Sequence, residues 1–314
     1  MSRNYGAGSR VMSEAAKLLL NKKFAGSDQS IADISQRFRK FCIYAEPFCV
    51  KKLENITAEI VIQYGQHLQK GIDSGLYKTS SLPKNLISSI NTIMHLAIGD
   101  KWKTVRPGKD CGIQARSYIP KESKALSEGE HNEAISKLND DRLSAIMNLQ
   151  RSFGLRFKES CLLDAKAALR HAKKYNEIKL ISGTKGGKPR TVPCDQYGFD
   201  ALKKAAAVQD GRSLIPTGQT YKEFHTWCYN RATAVQLGGF HSERHFYAQE
   251  RYTELTGAPA PINAGWTKSE RISNLSIMLK IDFEKAKEID AAARLQISIE
   301  LGHQRAQITR TYVG

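Results

Sequence analysis

The stretch "EIKLISGTKGGKPRTVP" (residues 177–193) differs from the rest of the chain in its strand character. Two short runs of strand-favouring residues flank a Gly-Gly turn, a pattern that is typical of a β-hairpin. The segments on either side have apolar residues at helical spacing instead. The sequence therefore predicts a mainly α-helical protein with one small β-hairpin.

The hairpin lies inside a predicted domain that covers residues 124–314. Ser127 and Glu130 have the spacing of a capping box, which predicts a helix start. A second helix is expected to end at Gly154, and most of 196–314 has helical patterning. Turns are expected at 211–218, 237–239 and 257–265. The domain is thus predicted to be α+β, with the hairpin as its β component.

The sequence before this domain predicts a separate helical bundle over residues 27–105. Thr57 is expected to be the N-cap of one of its three or four helices. An N-terminal extension, 1–26, precedes the bundle and contains one short amphipathic piece. Residues 106–123 contain prolines, glycines and basic side chains, and we interpret them as an interdomain linker.

The composition indicates a polyanionic partner. Lys and Arg number 48 against 31 Asp and Glu, which gives a net charge of +17 over 314 residues. The excess is spread over both halves of the chain, so it is not a detachable basic tail. Nucleic acids bind such surfaces by releasing condensed counterions. A solvated surface that promotes solubility is the alternative explanation.

Other protein classes are disfavoured by what the sequence lacks. The six cysteines include no C-x-x-C pair, which argues against a zinc site or a disulfide framework. No apolar run suits a signal peptide or a membrane span. No G-x-x-x-x-G-K-[ST] motif is present, and we expect neither a nucleotide cofactor nor a metal. We expect a cytoplasmic protein without membrane contact.

Four short motifs carry reactive residue types in a fixed order. They are "SFGLRFKESCLLD" with Arg156 and Glu159, the hairpin with Lys185 and Lys188, "GFHSERHFYAQERY" with His241 and Arg244, and "LGHQRAQITRTYVG" with His303 and Tyr312. Each motif alone has an ordinary explanation, such as a surface charge, a turn lysine or a frayed tail. Their joint order and spacing are far more specific than any one of them.

Together the motifs resemble those of the tyrosine recombinase (phage-type integrase) family. The resemblance covers residues 127–314, and 27–105 is similar to that family's helical core-binding (SAM-like) domain. It implies a catalytic domain that cuts DNA strands and rejoins them through a 3′-phosphotyrosyl intermediate, without ATP or a metal. It also implies double-stranded DNA recombination sites as partners and a dimer or tetramer on DNA, with accessory DNA-bending proteins as further candidates.

The chemistry of this reaction suits the residue types present. Tyr312 is the expected nucleophile, with Tyr247 and Tyr252 as substitutes. Arg156 and Arg244 are expected to bind the negative charge of the transition state.

The remaining residues have expected supporting roles. Lys185, with Lys188 as its rival, is expected to protonate the leaving 5′ oxygen. His241 is expected to accept the tyrosine proton or to hydrogen-bond the phosphate, and His303 to hydrogen-bond a non-bridging oxygen. Glu159 is expected to orient Arg156 or a neighbour.

Several functions remain open within this chemistry. Integration and excision of a mobile element is the expected role, at the nucleoid. A resolvase of replicon dimers would use the same chemistry. A type IB topoisomerase and a DNA-binding relative with a dead site are the weaker alternatives.

Three features depart from the family's pattern. Glu243 stands where an apolar residue is common, and we expect it to be exposed or paired, with Arg251 or Lys268 as the candidate partners. Residues 256–274 have the character of an inserted loop anchored by Trp266. Only two residues follow Tyr312, which puts exchange of a C-terminal segment between protomers in doubt. We therefore also expect Tyr312 to be mobile or undocked without DNA.

Overall fold

The computed structural model of the protein describes residues 3–115, 120, 122–303 and 305–314. The chain divides into two compact units, 1–117 and 118–314. Each unit has its own hydrophobic core. None of the helices in the described residues is long and apolar enough to cross a bilayer.

The first unit is entirely helical in its described part. Its helices are α1 (Met12–Lys23), α2 (Asp28–Ala45), α3 (Ala58–Asp73), α4 (Ser81–Ile98) and α5 (Pro107–Cys111). Thr57 caps α3, because its side chain accepts a hydrogen bond from the Ile60 amide. Helix α1, within the predicted N-terminal extension, buries Ala15, Ala16 and Leu20 completely in the core of this unit.

The chain after α4 also packs into this first core. The buried Asn91 side chain donates to the Val105 carbonyl and accepts from the Val105 amide and the Trp102 indole, at 2.8–3.0 Å. Cys111 lies so close to Gly65 that a Cβ at residue 65 would come within 2.2 Å of its sulfur. Residues of the predicted 106–123 linker up to Ile113 therefore pack with the first unit. Residues 116–119 and 121 of that linker lie outside the described residues.

The second unit is mainly helical and contains the predicted hairpin. Its elements are α6 (Glu128–Leu138), α7 (Asp141–Phe153), α8 (Phe157–Leu162), α9 (Ala165–Tyr175), β1 (Glu177–Leu180), β2 (Arg190–Pro193), α10 (Gln196–Val208), α11 (Tyr221–Ala234), α12 (His241–Thr256), α13 (Arg271–Leu279), α14 (Phe283–Glu300) and α15 (Arg310–Val313). β1 and β2 pair antiparallel, with Ile178 opposite Val192. The predicted fold class is confirmed: a mainly α protein with a two-stranded hairpin in an α+β second unit.

Local signals in the sequence fix several helix ends of this unit. Ser127 and Glu130 form the predicted capping box of α6. Helix α7 ends at Gly154, which has a φ of +60°. A Cβ at residue 154 would lie 2.5 Å from the Tyr247 ring and 2.7 Å from Leu301, so this turn requires glycine.

The segment 256–274 is folded against its own unit. Trp266 packs against a small cluster formed by Ala258, Ile272, Leu275 and Ala286. Trp266 is therefore the anchor that the sequence predicted, and its contacts lie in α13, α14 and the turn after α12.

Candidate active site

Tyr312 lies at the centre of a group of histidines and one arginine. Its side chain is only 5% exposed. The phenolic oxygen lies 3.3 Å from Arg244 Nε and 3.4 Å from both His303 Nε2 and His241 Nε2. The expectation of an undocked Tyr312 is therefore wrong for this structure, because α15 places the phenol in a built polar pocket.

Helix α12 supplies most of that pocket from one face. His241 begins the helix, and its ring centroid lies 5.8 Å from that of Tyr312. One turn later, the buried His245 ring lies 4.7 Å from the same tyrosine. A further turn on, Gln249 Nε2 donates to the main-chain oxygen of Tyr312 at 2.9 Å. Sequence analysis missed His245 and Gln249, although their four-residue spacing from His241 signals a shared helix face.

Arg244 is completely buried beneath the tyrosine. Nη1 donates to the Gly154 carbonyl, and Nη2 donates to the Leu301 carbonyl and contacts His303 Nε2 at 3.1 Å. Nε points to the phenolic oxygen of Tyr312. Of the five guanidinium hydrogens, only one on Nη1 is left without a partner among these groups. Arg244 is thus held rigidly, with its charge directly beside the tyrosine oxygen.

The contact with Arg244 fixes the protonation state of His303. A guanidinium only donates hydrogen bonds, so His303 Nε2 must be the acceptor and carries no proton. Burial, followed by the charge of Arg244, lowers the pKa of His303 to about 3. His303 is therefore neutral at pH 7, with its proton on Nδ1.

The two histidines of α12 are held neutral in the same way. Burial lowers the pKa of His241 to about 4, and the charges of Arg244 and Arg156 add to the effect. Burial and the neighbouring His241 lower the pKa of His245 to about 4. Arg244 stays cationic, because burial lowers its pKa only to about 10. At pH 7 the pocket thus combines one fixed cation with neutral imidazoles.

Arg156 reaches the same pocket from the start of α8. Its Nη2 donates to the carbonyl of Gly302, next to His303, at 3.3 Å. Its Nη1 donates to the buried carboxylate of Glu159 at 2.6 Å. Glu159 also accepts two hydrogen bonds from Arg190, at 2.7 and 2.9 Å. Glu159 therefore links Arg156 to Arg190, the first residue of β2.

The two candidate lysines lie on the hairpin, outside the hydrogen-bonded pocket. Lys185 and Lys188 are both exposed on the connection between β1 and β2. In the described part of the chain, neither ammonium has a hydrogen-bond partner or an ion pair. The charge of Lys185 does act on the pocket, because it contributes to the lowered pKa of His303.

Glu243 is paired, but not with the residues that the sequence suggested. It is fully buried, and its carboxylate lies 2.7 Å from His131 Nδ1 and 2.9 Å from Arg151 Nη1. Arg251 instead contacts Glu300 and Glu254. The expectation of Arg251 or Lys268 as partner is therefore wrong, because Glu243 faces α6 and α7 on the side of α12 opposite to the pocket.

The substitute nucleophiles have other partners. The hydroxyl of Tyr247 donates to Glu300 and that of Tyr252 donates to Asp290, at 2.7 and 2.8 Å. Burial and the charge of Glu300 raise the pKa of Tyr247 well above its usual value. Of the three tyrosines, Tyr312 alone has its hydroxyl in the arginine–histidine pocket.

Comparisons with known proteins give one family-model match and several similar folds. Residues 116–250 match the family model described as Integrase. A search of curated protein sequences gives no significant match.

Several solved structures have a similar fold. A lambda integrase dimer bound to a COC′ core site is similar at 14% identity and a TM-score of 0.58, over 96% of this chain and 77% of that one. The Tn1549 transposon integrase in complex with a circular-intermediate DNA is similar at 10% identity and a TM-score of 0.58, over 97% and 95%. A lambda integrase tetramer bound to a Holliday junction is similar at 15% identity and a TM-score of 0.50, over 75% and 70%.

The two comparisons agree on the fold. Residues 116–250 match the integrase family model, and the chain has a fold similar to those of lambda integrase and the Tn1549 transposon integrase.

Proposed function

We propose that the protein is a site-specific recombinase that cuts and rejoins DNA strands through a 3′-phosphotyrosyl intermediate at Tyr312. The observation that carries this proposal is the position of the Tyr312 hydroxyl, within 3.4 Å of Arg244, His241 and His303. A phenol becomes an effective nucleophile when a base removes its proton and a cation lies beside the oxygen. The positions of His241 and Arg244 beside the hydroxyl support both conditions.

His241 is the better placed base of the two histidines. The Nε2 lone pair of His303 is already engaged by Arg244, at 3.1 Å. His241 Nε2 lies 3.4 Å from the hydroxyl, and the lowered pKa of His241 keeps it unprotonated at pH 7. The Tyr312 proton passes to His241 as the oxygen attacks phosphorus. His303 then contacts a non-bridging phosphate oxygen, either through its Nδ1 hydrogen or after its contact with Arg244 has been released.

The two arginines divide the charge stabilisation. Arg244 has most of its hydrogens bonded to main-chain carbonyls and to Tyr312, so a bidentate contact with phosphate would require it to give up existing bonds. Arg156 is partly exposed and has one long hydrogen bond, to Gly302. Arg156 is therefore assigned to the non-bridging oxygens of the transition state, and Arg244 to the attacking oxygen and the phosphate oxygen nearest to it.

Lys185 is assigned to the leaving group. As the Tyr312–phosphorus bond forms, the bond from phosphorus to the 5′ oxygen breaks, and the ammonium supplies the proton to that oxygen. The phosphotyrosine retains the phosphodiester linkage, so a 5′-hydroxyl from another strand can reverse the attack. The reaction needs no net input of energy, and its partners are double-stranded DNA sites brought together by a dimer or tetramer.

The central experiment is covalent trapping on a nicked suicide substrate. The wild-type protein should form an adduct that survives a denaturing gel, and Tyr312→Phe should bind the same DNA without forming it. Tyr247→Phe and Tyr252→Phe are matched controls that should retain the adduct. Adduct formation by Tyr312→Phe would disprove the assignment of the nucleophile.

Integration and excision of a mobile element is the role that we propose within this chemistry, and resolution of replicon dimers is the alternative. The solved relatives include integrases on core-site and circular-intermediate DNA. Recombination assays with the DNA that flanks the gene separate the two roles, because an integrase joins an element end to a second site. Relaxation of supercoiled plasmid without any specific site would instead indicate a topoisomerase.

A further inference from the structure

Three successive main-chain oxygens around the nucleophile accept hydrogen bonds from three different elements. The Tyr312 oxygen accepts from Gln249 Nε2 at 2.9 Å. The Val313 oxygen accepts from the Ile262 amide at 3.0 Å. The Gly314 oxygen accepts from Arg294 Nη1 at 2.8 Å. Helix α12, the turn after it and helix α14 thus each hold one residue of the segment that carries Tyr312.

The Gln249 contact is built into the protein interior. Gln249 is 3% exposed, and its other amide atom, Oε1, accepts from the Ser123 hydroxyl at 3.0 Å. Both ends of the side chain are therefore satisfied, which fixes its orientation. Gln249 lies two helical turns after His241 in α12. The same helix therefore positions both the main chain of Tyr312 and His241, the proposed base.

The Arg294 contact is held in place by a buried carboxylate. Asp290 is 2% exposed, and it accepts from Arg294 Nε at 2.8 Å and from Arg271 Nε at 3.2 Å. The carbonyl of Arg294 in turn accepts from the Thr309 hydroxyl, just before α15. Arg294 therefore binds the segment on both sides of Tyr312: its carbonyl accepts from Thr309 and its guanidinium donates to Gly314.

The third contact gives the 256–274 segment a role. Ile262 lies in its turn, and the turn is anchored by Trp266 on the cluster of Ala258 and its neighbours. Val313 is fully buried in the core of the unit, so its carbonyl has no access to bulk water and needs a protein donor. The Ile262 amide is that donor.

We propose that these three contacts form a latch in cis, in which Gln249 and Arg294 are positioning residues that hold the main chain of Tyr312 so that its hydroxyl stays in the arginine–histidine pocket. The proposal rests on the proposed function for its consequence in catalysis, but the latch itself is a property of the free protein. Attack requires the nucleophile within a narrow range of positions, and a displacement of about 1 Å can cost on the order of a hundredfold in rate.

The test combines a kinetic and a spectroscopic measurement on the full chain. Gln249→Leu and Arg294→Met remove the two side-chain donors, and Arg294→Lys retains a cation that can reach the same oxygen. Single-turnover adduct formation on the suicide substrate is expected to fall at least about tenfold for the first two variants, while Kd for DNA changes less than about twofold. Arg294→Lys should recover part of the loss.

Matched controls exist elsewhere in the same unit. Gln209 is 4% exposed, and its Nε2 donates to the Gly211 carbonyl at 2.8 Å, so Gln209→Leu removes a comparable buried contact. Arg142 pairs with Asp210 and donates Nη1 to the Leu214 carbonyl at 3.0 Å, as Arg294 does with Asp290 and Gly314. Gln209→Leu and Arg142→Met should leave the rate of adduct formation unchanged if the latch contacts act by position.

The spectroscopic measurement does not depend on activity. In protein labelled with 3-fluorotyrosine, the fluorine signal of Tyr312 is assigned by its loss in Tyr312→Phe. The signal should move towards that of an exposed tyrosine in Gln249→Leu and Arg294→Met, and stay in place in both controls. An unmoved signal in both latch variants would overturn the latch. Absence of adduct in the wild-type protein, with the signal shifts as expected, would overturn the proposed function and leave the latch standing.

Discussion

The substitution Glu243→Gln removes the charge from a fully buried carboxylate that holds two elements against α12. The carboxylate contacts His131 at 2.7 Å and Arg151 at 2.9 Å. The Arg151 guanidinium cannot swing away to water easily, since it stacks on the Phe246 ring at 3.2 Å and its side chain is only 12% exposed. The variant therefore leaves a buried cation without its counterion.

The expected size of the effect follows from this geometry. Breaking a buried ion pair by removing one partner costs about 3–5 kcal/mol. The glutamine retains one acceptor for Arg151 or His131, so we expect the lower end, about 3 kcal/mol. In a unit of this size each kcal/mol lowers Tm by roughly 2–4 °C. The expected drop in Tm of the second unit is thus about 6–12 °C.

Scanning calorimetry of the full chain measures this drop directly. Glu254→Gln is the matched control, because Glu254 also pairs with an arginine, Arg251 at 2.8 Å, but its side chain is 55% exposed. An exposed pair contributes about 0–1 kcal/mol, so the control should change Tm by at most a few degrees. If Glu243→Gln shifts Tm no more than Glu254→Gln does, the reasoning about the buried charge is refuted.

Two further predictions concern pH and packing. His245 has a pKa of about 4 in the folded protein, against 6.5 in the unfolded chain. Its contribution to stability is therefore complete above pH 6.5 and is lost as pH falls towards 4. The expected loss of stability between pH 7 and pH 5 is about 2 kcal/mol, from about 1.4 kcal/mol per pH unit. His245→Phe keeps an aromatic ring beside Tyr312 but cannot be protonated. In urea titrations at pH 7 and pH 5, its free energy of unfolding should therefore drop by less than that of the wild-type protein. An equal drop in both proteins would count against the buried neutral imidazole. In the first unit, Gly65→Ala places a Cβ 2.2 Å from the Cys111 sulfur and 2.5 Å from the Cys111 Cβ, and should lower stability by about 1–3 kcal/mol. Cys111→Gly lacks both atoms, so Gly65→Ala should cost less in that background than in the wild-type protein. A Gly65→Ala variant of unchanged stability would show that α5 does not pack there.

The parts of the fold that the sequence predicted depend on short-range signals. The hairpin follows from the Gly186–Gly187 turn between strand-favouring runs, and the start of α6 from Ser127 and Glu130. The prolines and glycines of the predicted linker are local signals of the same kind. Pro107 opens α5, and Gly112 ends it with a φ of +72°. Both residues serve as helix ends here, and only burial of Cys111 and Ile113 shows that the segment belongs to a core.

In the candidate site, too, short-range patterns were predictable from the sequence and long-range contacts were not. Order and spacing brought Arg156, His241, Arg244, His303 and Tyr312 to attention, and the structure places them around one pocket. The partners of Glu243 could not be inferred, since His131 and Arg151 lie 112 and 92 residues away in the chain. The docking of Tyr312 in the pocket could not be inferred from the sequence either. A short segment at the end of a sequence offers no periodicity, and its three hydrogen bonds come from residues 249, 262 and 294.

The carboxylate of Glu159, which binds both Arg156 and Arg190, couples the position of the hairpin to that of Arg156. Arg190, the first residue of β2, donates to both oxygens of this carboxylate, while Arg156 donates to one of them through Nη1 and to the other through its main-chain amide. A hairpin displaced by contact with DNA carries Arg190 along, and Glu159 must then either follow it or release it. In the proposed reaction, the position of Lys185 near the leaving group and that of Arg156 near the phosphate are thereby coupled through Glu159.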